Sequence, residues 1–569
     1  MCIELIESKA GFCRIAMAFD EMLHHVGDSG RFQILRIACC IILFLLSSPH
    51  DIMENFTAAI PAHHCSVKPF DYPRSEINTT MNLTTEALLK VSIPMGPNQK
   101  PEQCRRFRHT QWQFLDSNVS TSNNTELETE PCLDGWTYDH SVFTSTIITE
   151  WDLVCDFQSF KYYAQAIGMS GHLVSGFVCG IVSDRFGRKP TLVYSCLAYG
   201  ILGSCCAFAP NFSLYCVLRF LLSASVSNIP TNSLILVLEE TSTQWHNSVI
   251  ILIGLSISIG QAMLGGLAYM ISDWHMLQLT LALPYFPCAI VLCWGPESVR
   301  WLMITGKTEQ ARKELQRIAS INGKKDIAHI LTTEALQSKL KEDGTSTSKH
   351  FRMKDIIINP AMRKIVLCLF SIIFAEMFSA NVIFLDIQIL GKNIFLNQFL
   401  LGAVDIPIKL LSYFILRNIR RRPSIAFSLL ITGSCIIITI FLSEEMHALR
   451  LMIFLLGRGA FAVFLCISLI YSQELSPTAL RSTLSGIYII ATRIATTLSA
   501  LTLITRKYYI HLPMILCGTI PIVATVSICF LLETLNLPLI DTVKDLEKRL
   551  MNKGVSKKEA QDFMENTEC

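Results

Sequence analysis

Asp184-Arg185-Phe186-Gly187-Arg188-Lys189-Pro190 and Arg417-Asn418-Ile419-Arg420-Arg421-Arg422-Pro423 are two short basic stretches that begin 233 residues apart. Each follows the second of a set of six apolar runs, and a bilayer crossing takes about 20 largely apolar residues. The runs read at 33–61, 160–183, 191–209, 213–237, 248–271 and 275–294, then at 363–385, 396–416, 424–443, 449–472, 482–504 and 511–532. Two more echoes fall at matching places. The fourth run opens with Arg219 and ends at Glu239-Glu240, while the tenth carries Arg458 and ends at Glu474. Pro296-Glu297-Ser298-Val299-Arg300-Trp301 follows the sixth run, and Glu533-Thr534-Leu535 follows the twelfth. Parallel duplication of six helices is the build of secondary transporters, whose substrate sites lie near the membrane midplane between the halves. The fold class read from this is an all-α membrane protein with twelve transmembrane helices in two six-helix halves.

Composition points the same way. The 569 residues are 51% hydrophobic and 17% charged, with a mean hydropathy of +0.41, where soluble domains carry about 25% charged residues. A net charge of +2 argues against a nucleic-acid binder, which would show a strongly basic face. No Walker motif G-x-x-x-x-G-K-[ST] occurs, so ATP is not the driver. The sequence offers no nucleophile–base set and no metal spacing, so neither an enzyme, a cofactor nor a metal site is expected. His24-His25 and His63-His64 read as solvated loop or helix-end pairs.

Short loops rich in Lys and Arg mark the cytoplasmic side, which puts both termini in the cytoplasm. The resulting order is a cytoplasmic tail over 1–32, transmembrane helix 1 over 33–61, a large extracellular loop over 62–159, helices 2–6 over 160–294, a cytoplasmic helical loop over 295–361, helices 7–12 over 362–532 and a cytoplasmic tail over 533–569. The extracellular loop carries glycosylation sequons at Asn78, Asn82, Asn118 and Asn123, and four cysteines, Cys65, Cys104, Cys132 and Cys155. Sequons and an even cysteine count fit an oxidising compartment; four cysteines allow three pairings, and the sequence does not choose among them. In the 295–361 loop, Ala311, Leu315 and Ile318 fall at helical spacing. Residues 1–16 contain Glu4, Glu7, Lys9 and Arg14 and no apolar core, so no cleavable signal peptide is read there.

Several motifs then carry a specific resemblance. They are Met17-Ala18-Phe19 with Gly30-Arg31-Phe32-Gln33, Asn55-Phe56-Thr57-Ala58-Ala59-Ile60-Pro61, Pro131-Cys132-Leu133-Asp134-Gly135-Trp136 and Thr149-Glu150-Trp151-Asp152-Leu153-Val154-Cys155, with the first basic loop, Pro296 to Trp301 and Pro538-Leu539. The chain resembles the solute carrier 22 family of organic anion and cation transporters, within the major facilitator superfamily, from Met17 almost to its end. That resemblance implies the major facilitator fold and a plasma-membrane carrier in the lipid bilayer. It also implies a small organic anion moved by alternating access, with exchange as one mode. Family members begin near Met17, so residues 1–16 read as an upstream extension.

An ionisable residue at the bilayer centre costs about 2.5–3.5 kcal/mol on insertion scales and needs a partner or a purpose. The carboxyl-terminal half holds Glu376, Asp405, Lys409, Arg458 and Arg493 inside its apolar runs. Gly402 to Leu410 and Ala491-Thr492-Arg493 resemble the anion-transporter forms of the eighth and eleventh helices, whose basic residues hold the substrate's negative group in the family. A guanidinium suits that role because its fork meets a carboxylate or sulfate with two hydrogen bonds. Two plainer readings stand beside this one. Asp405 precedes Lys409 by four residues, the favoured order for a neutralising pair on one helix face, and Glu376 could pair with Arg493. With both pairs formed the cavity is neutral, which favours a cation or zwitterion carrier.

Asn55, Phe378 and Tyr488 complete the candidate substrate site, with Phe374 and Phe384 as further rings whose bland reading is helix packing. The chain departs from the anion-transporter pattern at Ala380-Asn381, where paired tyrosines are usual, and at Asp51, where Asn is usual. It departs again at Arg420 for glycine and His246 for arginine, which leaves room for a ligand-binding relative that does not transport. Asp184, Arg185, Arg188, Arg219, Glu239, Arg421, Arg422, Arg458 and Glu474 match the family's cytoplasmic gate, a two-state element whose charges bridge the halves and then separate. Capping of the following helix is the plain structural alternative for Asp184.

Overall fold

The computed structural model describes residues 30–67, 85–96, 100–111, 128–242, 245–324, 359–385, 387, 393–443, 446–477, 480–535, 546 and 549. Within them, twelve helices occupy the twelve apolar runs. They are α1 (Arg31–Ser47), α2 (Ser159–Phe186), α3 (Arg188–Ala207), α4 (Phe212–Glu240), α5 (His246–Met270), α6 (Trp274–Ala282 continued by Tyr285–Trp294), α7 (Pro360–Leu385), α8 (Ile394–Asn418), α9 (Arg421–Phe441), α10 (His447–Glu474), α11 (Arg481–Thr502) and α12 (Leu512–Ile528). Ten are long and apolar enough to cross a membrane once α1 is taken with its exit turns to Thr57; α2 joins them as a bent span, and α12 is a shorter apolar helix. Asparagine or aspartate starts several of them. Asn211, Asp273 and Asn393 accept from the first free backbone N–H groups of α4, α6 and α8, which satisfies donors that lipid cannot.

The helices form two bundles. Leu43, Tyr199, Leu222, Ile229 and Tyr285 lie at the core of α1–α6, and Ile365, Leu429, Phe464, Tyr471 and Ile528 at that of α7–α12. The bundles meet along two seams, α5 against α8 and α2 against α11. Glycine makes the first seam close: a Cβ on Gly402 would run into the backbone of Ala262, and one on Gly265 would lie 2.8 Å from the Phe395 carbonyl oxygen. A second use of glycine is the one-residue turn at Gly187, where φ of +108° carries α2 into α3.

One end of the bundle carries the basic loops, the other the 58–158 excursion. At the loop end, apolar clusters span both halves, one joining Met53, Phe56 and Leu264 to Ile394, Leu401 and Phe454, the other joining Tyr162 and Met169 to Phe378, Val382 and Ala495. Among its described residues the excursion holds two short antiparallel pairings, His63–Cys65 with Trp136–Tyr138 and Arg105–Phe107 with Thr129–Pro131. Its disulfides are Cys65–Cys132 and Cys104–Cys155, one of the three pairings the sequence left open. Asn78, Asn82, Asn118 and Asn123 lie outside the described residues. At the basic end, helices Val299–Ile304 and Thr308–Ile321 follow α6, and Ala311, Leu315 and Ile318 bury against Phe32 and Trp301.

Candidate functional site

The α5–α8 seam holds a charged network that joins the two halves. Asp405 of α8 is buried, accepts a hydrogen bond from Arg458 Nη2 of α10, and lies 3.8 Å from Lys409 Nζ. Lys409 also donates to the Gly254 carbonyl oxygen at 2.9 Å and to Ser258 Oγ at 2.7 Å, while Arg458 Nη2 donates to Gln261 Oε1 at 3.0 Å. The pair suggested by the i,i+4 spacing is therefore present, but its carboxylate is shared with a second cation. Arg458 lies 4.1 Å from the Phe384 ring centroid and 5.2 Å from that of Phe461, an attractive arrangement of cation and ring. Its Nε and Nη1 have no hydrogen-bond partner among the described residues, and Ala380, Cys435, Phe454 and Phe461 line an apolar recess beside it.

The α2–α11 seam holds Arg493. Its stem runs past Gly176, whose added Cβ would lie 3.8 Å from Arg493 Cγ, and its buried Nε has no hydrogen-bond partner among the described residues. Asp51 sits in the turn that leaves α1. Asp51 Oδ1 lies 3.5 Å from His172 Nε2 of α2. Thr497 Oγ1, donating to the Met169 carbonyl oxygen at 3.3 Å, fastens the same seam.

Glu376 does not join Arg493. It is fully buried inside the carboxyl-terminal half and accepts from Thr432 Oγ1 of α9 at 2.8 Å. Phe378 packs in the seal at the loop end, stacked on Phe374 at 5.8 Å. Tyr488 shares a hydrogen bond with Ser468 at 3.2 Å, and Asn55 Nδ2 donates across the halves to the Phe384 carbonyl oxygen at 2.6 Å. Asn381, where a tyrosine is usual in the family, ties α7 to α11 through Thr496 and Ser499.

At the basic end the duplication becomes atomic. Arg188 reaches Glu239 at 3.5 Å, Glu239 accepts from Ser298 Oγ at 2.5 Å, and Glu297 accepts the backbone N–H groups of Arg188 and Lys189. In the other half Arg421 reaches Glu474 at 3.3 Å, Glu474 accepts from Thr534 Oγ1 at 2.5 Å, and Glu533 accepts the N–H groups of Arg421 and Arg422. The cap of α3 is thus Glu297, not Asp184, which instead accepts from Arg188 Nη1 at 2.6 Å. Arg185 is exposed, 5.8 Å from the ring of its neighbour Phe186, and Arg422 donates to the carbonyl oxygens that end α12.

Two residues grouped with this gate sit elsewhere. Arg219 pairs with Glu54 of the α1 exit at 2.8 Å, twenty residues from Glu239 and so about 30 Å along α4. Arg458 belongs to the Asp405 network. Sequence reading grouped both with the acids ending their runs; Glu54, an acid in the first apolar run that needs a partner, was the signal for the first. Gln261, Ser258 and His172 carried no signal, because only folding brings α5 and α2 to the other half.

Comparison with known proteins completes the assignment. The family model described as "Sugar (and other) transporter" matches residues 152–545. Solute carrier family 22 member 22 of Mus musculus is 69% identical over 97% of this chain and 100% of its own, and human solute carrier family 22 member 12 is 40% identical over 95% and 97%. A steroid transmembrane transporter of Microcebus murinus is 41% identical over 93% and 96%. Among solved structures, the inward-open xylose transporter XylE from E. coli aligns with a TM-score of 0.56 at 17% identity, over 72% of this chain and 92% of that one. The chain is a transporter with the major facilitator fold, not an enzyme, and it belongs to the solute carrier 22 family.

Proposed function

We propose that this protein carries amphipathic organic anions, such as steroid sulfates, prostaglandins or dicarboxylates, across the plasma membrane by alternating access. The observation that carries the reading is the sharing of one carboxylate, Asp405, between Lys409 and Arg458. With Glu376 withdrawn into the bundle, the three cations Lys409, Arg458 and Arg493 outnumber the two acids Asp405 and Asp51 by one. A buried excess cation is costly unless an anion joins it. Arg458 Nε and Nη1 and Arg493 Nε are the donors left for that anion, and Phe384 and Phe461 offer faces to an apolar body. The name of the steroid-transporting relative favours such a body.

The positive-inside rule places the basic end and both termini in the cytoplasm, and the loop with its disulfides and sequons outside, where Asn78, Asn82, Asn118 and Asn123 take glycans. The sealed loop end then makes this the state open to the cytoplasm. Asp184, Arg185, Arg188, Glu239, Arg421, Arg422 and Glu474 serve as its gate, and their ion pairs lie within each half in this state. Uptake into oocytes of labelled estrone sulfate, a prostaglandin, a dicarboxylate and tetraethylammonium tests the reading. Anion uptake without cation uptake is expected, and Arg493→Ala should lower it at least tenfold at unchanged surface expression. Tetraethylammonium uptake alone would reverse the assignment.

A further inference from the structure

We propose that the basic end of the amino-terminal half holds a site for the phosphorylated headgroup of an anionic membrane lipid, formed by Lys189, Lys307 and Lys313 around a cavity of about 370 Å³. That volume falls among those of small-ligand sites, about 300–1,000 Å³. The walls come from separate segments of the chain. Phe186 ends α2 and Lys189 begins α3, while Trp301 and Lys313 lie on the helices Val299–Ile304 and Thr308–Ile321. The cytoplasmic setting of the site rests on the orientation given above; the anion reading has no part in it.

The fold places these cations before any ligand arrives. Gly306 takes a φ of +75°, and the Lys307 N–H closes back on the Leu302 carbonyl oxygen at 2.9 Å, so the chain turns sharply between the two helices. The Lys307 ammonium then sits 4.7 Å from the centre of the Trp301 ring, a favourable seat for a cation. Trp301 is itself buried, and its Nε1 donates to the Asp184 carbonyl oxygen at 2.8 Å. The acids on the same wall are engaged elsewhere. Glu297 accepts the backbone N–H groups of Arg188 and Lys189, and Glu314 lies 3.8 Å from Arg317 Nη1. Glu309, on the neighbouring turn, is bonded by Arg312 at 2.7 Å. Among the described residues no carboxylate forms an ion pair with any of the three lysines.

Each ammonium brings three donors and no acceptor, so three of them around one cavity suit a group with many anionic oxygens better than a single carboxylate. The position of the cavity points to a lipid as the bearer of that group. Phe186, at the end of α2, is 63% exposed. Trp294, at the end of α6, is 73% exposed, and Arg317 Nη2 of the Thr308–Ile321 helix donates to its carbonyl oxygen at 2.7 Å. Exposed rings at helix ends mark the level of the headgroups, and a basic cavity at that level on the cytoplasmic side fits a multiply phosphorylated headgroup. Its acyl chains run past Phe186 into the bilayer. A headgroup held there bridges the α2–α3 turn, which carries Asp184 and Arg188, to the helices that follow α6.

Native mass spectrometry of the purified full chain in detergent tests this, with titrations of dioctanoyl phosphatidylinositol bisphosphate, dioctanoyl phosphatidylserine and soluble inositol trisphosphate. The bisphosphate lipid should bind at least about tenfold more tightly than phosphatidylserine, and the triple variant Lys189→Gln, Lys307→Gln, Lys313→Gln should weaken it at least about tenfold, as loss of charge-assisted hydrogen bonds requires. Lys364→Gln, which removes a lysine at the same end of the other half, should leave the affinity unchanged. Lys313→Glu alone, at an exposed position, should weaken binding in the same direction and serves if the triple variant unfolds. Equal binding of the two lipids, or variants with wild-type affinity, overturns the proposal. Inositol trisphosphate bound as tightly as the bisphosphate lipid overturns the lipid as ligand in favour of a soluble phosphate. Because no transport is measured, each of these failures leaves the anion reading standing.

Discussion

Arg219 and Glu54 show what a charge inside the apolar body demands. Their side chains are 3% and 6% exposed and bridge at 2.8 Å, so removal of either leaves the other buried and uncompensated. Arg219→Ala should destabilise the fold by about 3–5 kcal/mol, read as a lowered unfolding midpoint in detergent. The double variant Arg219→Met with Glu54→Gln should recover most of the loss, because no lone charge remains. The same logic separates Arg458 from Arg493. The first is held by Asp405, whereas Arg493 Nε has no hydrogen-bond partner among the described residues, which is the opening the proposed anion would fill.

Among the elements, α3 and α9 begin in the same way, with a glutamate from beyond the sixth or twelfth helix accepting their first backbone N–H groups. A carboxylate at that position also meets the positive end of the helix dipole. Glu297→Ala and Glu533→Ala should each cost about 1 kcal/mol, and the costs should add in the double variant, since the two caps share no partner. A double variant no worse than either single one, in the same detergent unfolding assay, would show that one cap is idle.

For the whole molecule, the decisive contact is the glycine seam of α5 and α8. Gly402→Leu forces α8 away from Ala262, so the apolar cluster of Met53, Phe56 and Leu401 should no longer close across the halves. Uptake should fall more than tenfold while surface expression drops far less, since the bulky side chain opposes the docking of two bundles that each keep their own core. Equal losses of both would mean that the substitution unfolds the half instead.

The sequence by itself determined the twelve helices, the two halves and the family. Apolar runs near 20 residues, basic loops 233 residues apart and the Glu297 and Glu533 echoes are all local patterns, and local patterns are what a linear chain displays. It also displayed the i,i+4 relation of Asp405 to Lys409. Only the tertiary structure decided which pairing the four loop cysteines make, that Arg458 shares Asp405, that Glu376 turns to Thr432, and that Asp51 meets His172. Those contacts join residues between 51 and 121 positions apart, on different elements, and tertiary packing fixes such distances without leaving any trace in residue spacing.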